Sequence, residues 1–346
     1  MFSYGLGDAG TGLAATQLGF YLFPFFIGYA GLPALVAGSI LMLIKIWDAI
    51  NDPFIGWLSD KTKTRWGPRI PWMLSAAIPL GFSLAAIWWV PSGTLSEKTA
   101  YYVVISILLM TAYTSVNLPF AALSTELSKD ISVRTRLNAA RFTGSILAGL
   151  SGLIIAANIL SKNEVGYFNM GKISGLIAAL ATLISCWGLA PFAKKARRPS
   201  KRNISLTLQL RRIFHNKKFI KVITLYLLLW CALQLMQTVS LIYVEQVLQI
   251  PSQYAKWIPI PFQLSALAGL QIWSFFSNKF GRISALYYGS MIWIFSCLLT
   301  LTIPVFKTST SANNLFFSQG NNLFLFIFFS FFIFIFFIYF FIYLFL

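Results

Sequence analysis

The sequence predicts an all-α integral membrane protein built from two helical bundles, and three observations carry that prediction. Of 346 residues, 58% are hydrophobic and only 10% charged, against about a quarter charged in soluble domains. Apolar runs of about 20 residues, the length that crosses the hydrocarbon core as a helix, recur along the whole chain. Basic residues fall in alternate connections between those runs, as the bias of cytoplasmic loops requires. That placement accounts for the net charge of +18 from 27 Lys+Arg and 9 Asp+Glu, and it leaves no case for nucleic acid as a partner.

Taken in order, the spans lie at 9–31, 36–58, 70–90, 100–125, 139–160, 172–193, 219–248, 257–277, 284–305 and 322–346, ten in all. Lys61, Lys63, Arg65 and Arg69 follow the second span, Lys129, Arg134 and Arg136 the fourth, and Lys279 and Arg282 the eighth. Those loops are therefore expected in the cytoplasm, while Pro91–Lys98 and Ile250–Ala255, with few charges, face the other side. Residues 194–218 form the longest polar connection, rich in Lys and Arg and without an acid. It reads as a basic cytoplasmic linker, resting on anionic lipid, between a six-helix bundle at 1–193 and a second bundle at 219–346.

The N-terminus is then cytoplasmic and the protein multi-pass in the cell membrane. No basic, cleavable leader is expected before the first span. The final span is unlike the others. From Leu323 to Leu346 nearly every residue is Phe, Ile, Leu or Tyr, without the small residues that let membrane helices approach closely. Because those residues share uridine-rich codons, the expectation is a low-complexity or frame-shifted end replacing an ordinary tenth helix, which leaves the second bundle incomplete.

Enzymatic chemistry has little to stand on. Cys186, Cys231 and Cys297 fall inside apolar runs without metal-ligand spacing, and the only histidine, His215, lies in the basic linker. No nucleophile and base arrangement results, and no cofactor is expected beyond a coupling ion.

The chemistry that remains is in the second span, where Lys45, Asp48, Asn51 and Asp52 precede Pro53. Asp48 and Asp52 are i,i+4 neighbours and Lys45 lies one turn before, so the three share a helix face. Each such charge at the membrane centre costs about 2.5–3.5 kcal/mol on insertion scales, so the face must look into protein or water. Two carboxylates beside an amide offer hard oxygen ligands to sodium or hold a shared proton. The competing explanations are a solvated helix end and a Lys45–Asp48 ion pair that only fixes packing.

These residues belong to a wider pattern. Ser3-Tyr4-Gly5-Leu6-Gly7-Asp8, Trp47-Asp48-Ala49-Ile50-Asn51-Asp52-Pro53, Arg65-Trp66-Gly67 with Pro71-Trp72, Asn117-Leu118-Pro119-Phe120-Ala121-Ala122-Leu123, Arg134-Thr135-Arg136-Leu137 and Arg141-Phe142 follow one another over about 140 residues. In order and spacing they resemble the glycoside–pentoside–hexuronide cation symporters, the melibiose-carrier-like branch of the major facilitator superfamily.

The resemblance implies a twelve-helix, two-bundle carrier, of which about ten helices are present, moving a sugar or related small solute with sodium or a proton. By that resemblance Asp48, Asp52, Asn51 and Thr114 form the cation-coupling site, with Asp48 and Asp52 the metal ligands if the ion is sodium. Arg141, Asn117, Tyr113 and Lys45 face the solute in a central cavity, and Asp60, Arg65 and Arg69 form a gating loop at the cytoplasmic end. Rocking of the two bundles would alternate access. Gly12 and Asn117 stand where the melibiose carrier has aspartates, and Ala121 where it has a tryptophan, so a galactoside specificity is not implied. The alternatives are a non-transporting or truncated homologue and a lipid or lysolipid carrier. A monomer in the bilayer is expected. Arg141 has its own alternative, a place in the basic cytoplasmic end with Arg134 and Arg136.

Overall fold

The computed structural model describes residues 2–128, 130–161, 166–195, 216–247 and 250–264, with isolated positions between 279 and 295. These residues are almost entirely helical, with no strand among them. Five helices are long and apolar enough to cross a membrane, and a shorter apolar helix spans Ile70–Ala86. The fold is the all-α membrane architecture that the composition predicts, and the chain crosses the bilayer several times. It divides into two compact units, Met1–Ser200 and Lys201–Leu346.

In the first unit, α1 (Phe2–Gly5) and a 3-10 turn (Leu6–Asp8) lead into α2 (Ala9–Pro24) and a π-helical turn (Phe25–Tyr29), one nearly continuous crossing. It begins seven residues before the expected start at residue 9. Gly5, Gly7 and Asp8 dilute the apolar pattern there, yet Asp8 is buried. α3 (Ala34–Lys61) begins after Pro33, and Thr62 ends it in extended backbone. α4 (Ile70–Ala86) carries Pro71 in its first turn, where the missing N–H costs no helix bond. α5 (Leu95–Leu127) starts on a capping box, the Thr94 side chain accepting from the Glu97 N–H while Glu97 accepts from Thr94. That reciprocal pair satisfies two donors the helix start would leave open. α6 (Ile131–Leu160) and α7 (Tyr167–Lys195) complete the unit.

In the second unit, α8 (Lys217–Ile242) is capped by the Asn216 side chain and runs into a π-helical turn (Tyr243–Val247), and α9 (Ser252–Ala255) follows. Most of the basic linker, most of the span expected at 257–277, most of that at 284–305 and all of the Phe/Ile-rich end lie outside the described residues, as does His215.

Two interfaces in the first unit depend on glycine. Membrane helices gain no hydrophobic drive toward one another, so close backbone approach must supply the contact. A Cβ on Gly81 of α4 would stand 2.6 Å from the Gly175 carbonyl oxygen of α7. Likewise Gly144 of α6 sits so near the Gly5 carbonyl oxygen that a Cβ there would collide with it. The basic-loop end is filled by Tyr4, Ile70, Met73, Phe120, Leu123 and Leu189. At the other end Phe25, Trp88, Tyr102 and Tyr167 interlock ring on ring.

Candidate functional site

α3 and α5 together build the first cluster. The α3 face that meets α5 carries Trp47 and Asn51, one turn apart: Trp47 Nε1 donates to Thr111 Oγ1 at 3.0 Å and Asn51 Nδ2 to the Met110 carbonyl at 3.5 Å. These two contacts fix the rotation of α3, and each is followed in sequence by an acid. Asp48 and Asp52 are thereby presented beside Thr114, whose hydroxyl lies 3.0 Å from Asp52 Oδ1 and 3.4 Å from Asp48 Oδ1. Thr114 is buried, Asp48 half-buried and Asp52 exposed. Two carboxylates bridged by one hydroxyl make a set of hard oxygens of the kind that small cations prefer. Asn51, expected beside the acids, turns its amide nitrogen to the α5 backbone. Lys45 is exposed one turn before Asp48 and near enough to interact with its charge.

α5 also builds the second cluster. Arg141 of α6 donates from Nε to Asp8 Oδ2 at 2.9 Å and from a terminal nitrogen to Asn117 Oδ1 at 2.8 Å. Asn117 Nδ2 donates to the Tyr113 hydroxyl at 3.1 Å, and Thr11 Oγ1 donates to the other Asp8 oxygen at 2.7 Å. The Arg141 side chain is 16% exposed and that of Asp8 7%. The guanidinium of Arg141 is therefore held inside the unit by Asp8 and Asn117 and does not stand in bulk water. Phe120 lies across the guanidinium at 5.6 Å. Tyr113, hydrogen-bonded to Asn117, is near enough to both Asp8 and Asp48 to feel their charges.

A third group sits at the basic-loop end. Arg69 is buried and donates to Glu126 at 2.9 Å and to Ser59 Oγ at 2.6 Å, and it pairs with Asp60 at 2.5 Å. Arg65 lies over the ring of its neighbour Trp66 at 4.8 Å. The turn between them depends on Gly67, at φ +85°, a backbone state that costs glycine nothing.

Sequence reasoning missed both further acids of these groups, Asp8 and Glu126. The available signal was the same for both, an acid inside or at the end of an apolar span, which must have a partner.

Residues 3–345 match the sequence profile of the MFS/sugar transport protein family. A symporter of Synechocystis, sll1374, is 30% identical across 84% of this chain and 69% of its own length. The sodium-dependent lysophosphatidylcholine symporter 1 of Xenopus tropicalis is 24% identical across 83% of this chain and 61% of its own. The isoprimeverose transporter of Lactiplantibacillus pentosus is 24% identical across 89% and 66%. The chain thus spans about two-thirds of the length of these relatives. Among solved structures, a point mutant of the nucleoside transporter NupG aligns with a TM-score of 0.68 at 16% identity, over 97% of this chain and 79% of that one, which is a likeness of fold. Family profile, relatives and helical architecture agree, and the chain belongs to the MFS/sugar transport protein family.

Proposed function

We propose that the protein is a secondary active symporter which couples sodium or a proton to the movement of a small polyhydroxylated solute, a sugar or glycoside. The observation that carries this is the sharing of α5 between two polar clusters. Thr114 joins the carboxylates of Asp48 and Asp52, and Asn117, one turn along the same helix, holds Arg141. A cation drawn to the first cluster and a solute drawn to the second would therefore act on one helix. Sodium would be held by the Asp48, Asp52 and Thr114 oxygens, and a proton would be shared between the two carboxylates. At the second cluster, Arg141 and Tyr113 offer N–H and O–H donors and Asn117 both donors and an acceptor, which suits vicinal hydroxyls.

The energetics are sufficient. One cation crossing about 100 mV releases roughly 2.3 kcal/mol, and at about 1.4 kcal/mol per tenfold this sustains a roughly fifty-fold solute gradient. Arg69, Asp60 and Arg65 would belong to the gate at the basic-loop end, taken as cytoplasmic, in a monomer of the cell membrane. The names of the relatives support symport, with a sugar in one case and a lysolipid in another. Binding of neutral sugars to the full chain, measured in sodium, in potassium and across pH, tests the proposal. Sugar affinity that depends on neither sodium nor pH would sink it.

A further inference from the structure

We propose that the groove between α4 and α7 binds a phospholipid with an anionic headgroup, one acyl chain lying in the groove and the phosphate meeting Arg65. The two helices are pinned at two places. Gly81 packs on the Gly175 backbone, and the turn at Gly67 is seated so that a Cβ there would stand 3.1 Å from the Ala193 carbonyl oxygen. Between these points they stand apart and leave a groove of about 640 Å³. Ile70 and Cys186, both buried, form its floor. Leu74 and Trp187, 37% and 84% exposed, form its walls, and Trp66 stands at the end nearest the basic loop. The wall from Leu183 to Pro191 is about 12 Å long at 1.5 Å per residue, most of the roughly 15 Å that one leaflet contributes to a hydrocarbon core of about 30 Å. Ile78 and Phe82 of α4 and Ile184 and Phe192 of α7 are exposed beside it, and in a chain that crosses the bilayer such side chains meet acyl chains.

Charge selects the headgroup. Arg65 is exposed, and its guanidinium lies over the Trp66 ring at 4.8 Å, so a cation stands at the same end of the groove as that tryptophan. α7 ends there on Lys194 and Lys195. Neither wall has an acid near it in sequence: Asp and Glu are absent from 61–96, which holds α4 and the loop before it, and from 165–244, which holds α7. Asp60, the acid just before that loop, is paired with Arg69. A tryptophan at headgroup level beside Lys and Arg is the setting in which anionic lipid is held. A phosphatidylglycerol phosphate meets only cations here, whereas a zwitterionic headgroup also brings an ammonium for which these segments supply no acid.

The test uses the purified full chain in phosphatidylcholine nanodiscs doped with a photoreactive phosphatidylglycerol or a photoreactive phosphatidylcholine that carries the same diazirine acyl chain. After illumination, labelled residues are located by mass spectrometry. Phosphatidylglycerol is expected to label residues 66–74 and 183–191 at least about fivefold more than phosphatidylcholine, with no such preference at Ile78 and Phe82. Arg65→Gln, a change at an exposed side chain, should lower that preference at least about threefold, and Arg65→Lys should keep most of it. Leu74→Trp fills the groove without touching the charge, and it should remove labelling of 183–191 by either lipid while labelling of Phe82 continues. Equal labelling of the groove by the two lipids, a preference that extends equally to Ile78 and Phe82, or a preference unchanged in Arg65→Gln overturns the proposal. So does a groove that takes no label, whether a second copy of the chain covers it or nothing does.

Discussion

Gly144 of α6 rests against the backbone of Gly5, and the ion pair of Arg141 with Asp8 lies one turn from that contact on both chain segments. The close approach at the glycines, between segments that run parallel, sets how far Arg141 must reach. Replacing Gly144 with alanine inserts a methyl group where the Gly5 carbonyl oxygen stands, a backbone neighbour that cannot rotate away. Overpacking of this kind costs about 1–3 kcal/mol, and it moves α6 outward from Asp8. Gly144→Ala should lower the thermal midpoint and weaken sugar binding by roughly tenfold, the ratio that corresponds to about 1.4 kcal/mol. Gly28→Ala, where an added Cβ meets nothing within 4 Å, is the control and should change neither. Equal behaviour of the two variants in thermal-shift and binding measurements would show that the glycine contact does not hold the pair.

The Thr114 hydroxyl is the point where the Asp48 and Asp52 carboxylates meet. Thr114→Val keeps the shape of the side chain and removes the hydroxyl, so packing of α5 is preserved while an oxygen ligand and a hydrogen bond are lost. A hydrogen bond to a charged group contributes about 1.5–3 kcal/mol, and the cation dependence of solute binding should weaken roughly tenfold or more. Thr114→Ser should retain most of it. Sodium titrations followed by tryptophan fluorescence would read the difference, since Trp47 is hydrogen-bonded to Thr111 one turn away. Serine and valine variants with the same sodium response would remove the hydroxyl from the site.

Arg69 has two acidic partners of very different worth. The Glu126 side chain is 3% exposed and that of Asp60 64%. Arg69→Gln strands the Glu126 carboxylate in a dry environment, which costs about 3–5 kcal/mol. The double change Arg69→Gln with Glu126→Gln removes both charges and should regain most of that stability. Asp60→Asn should shift stability by no more than about 1 kcal/mol, as exposed pairs do. Unfolding midpoints of the three variants, ranked in any other order, would mean that Glu126 is not the buried anchor of this loop.

The sequence made legible the parts of the molecule that follow from periodicity and from the cost of charge in lipid. Helical spacing alone put Asp48 and Asp52 on one face, and the apolar runs located α3 through α7 to within a few residues at most ends, α6 starting earlier than expected. What escaped were the contacts that depend on two distant segments meeting. Asp8 lies 133 residues from Arg141 and Glu126 lies 57 from Arg69, and no local pattern links either pair. Asp8 also fell just before the apolar run taken to begin at residue 9, whereas in the fold the crossing starts earlier and Gly5 is where α6 touches the chain. Asn51 shows the opposite limit. Its spacing grouped it with the acids, but the rotation of α3 against α5 turns its amide nitrogen to the Met110 carbonyl, and only packing decides that rotation.

The two carboxylates of α3 should separate when changed one at a time. Both accept from Thr114, but Asp48 is the more buried and sits one turn from Lys45, whereas Asp52 is exposed and closer to the Thr114 hydroxyl. Asp52→Asn removes a charged ligand from the accessible side without changing side-chain size. It should abolish sodium or pH dependence of sugar binding while leaving the protein inserted and folded. Asp48→Asn should abolish the same dependence and, in addition, leave the Lys45 ammonium without its carboxylate neighbour, an uncompensated charge in a membrane helix that is costly by roughly 2.5–3.5 kcal/mol at the bilayer centre. Its folded yield should therefore fall below that of Asp52→Asn, and Lys45→Met in the Asp48→Asn background should restore the yield without restoring the cation response. Sugar binding and thermal stability measured on the four proteins separate the two roles of Asp48. A cation response that survives both single substitutions would place the coupling ion elsewhere in the protein.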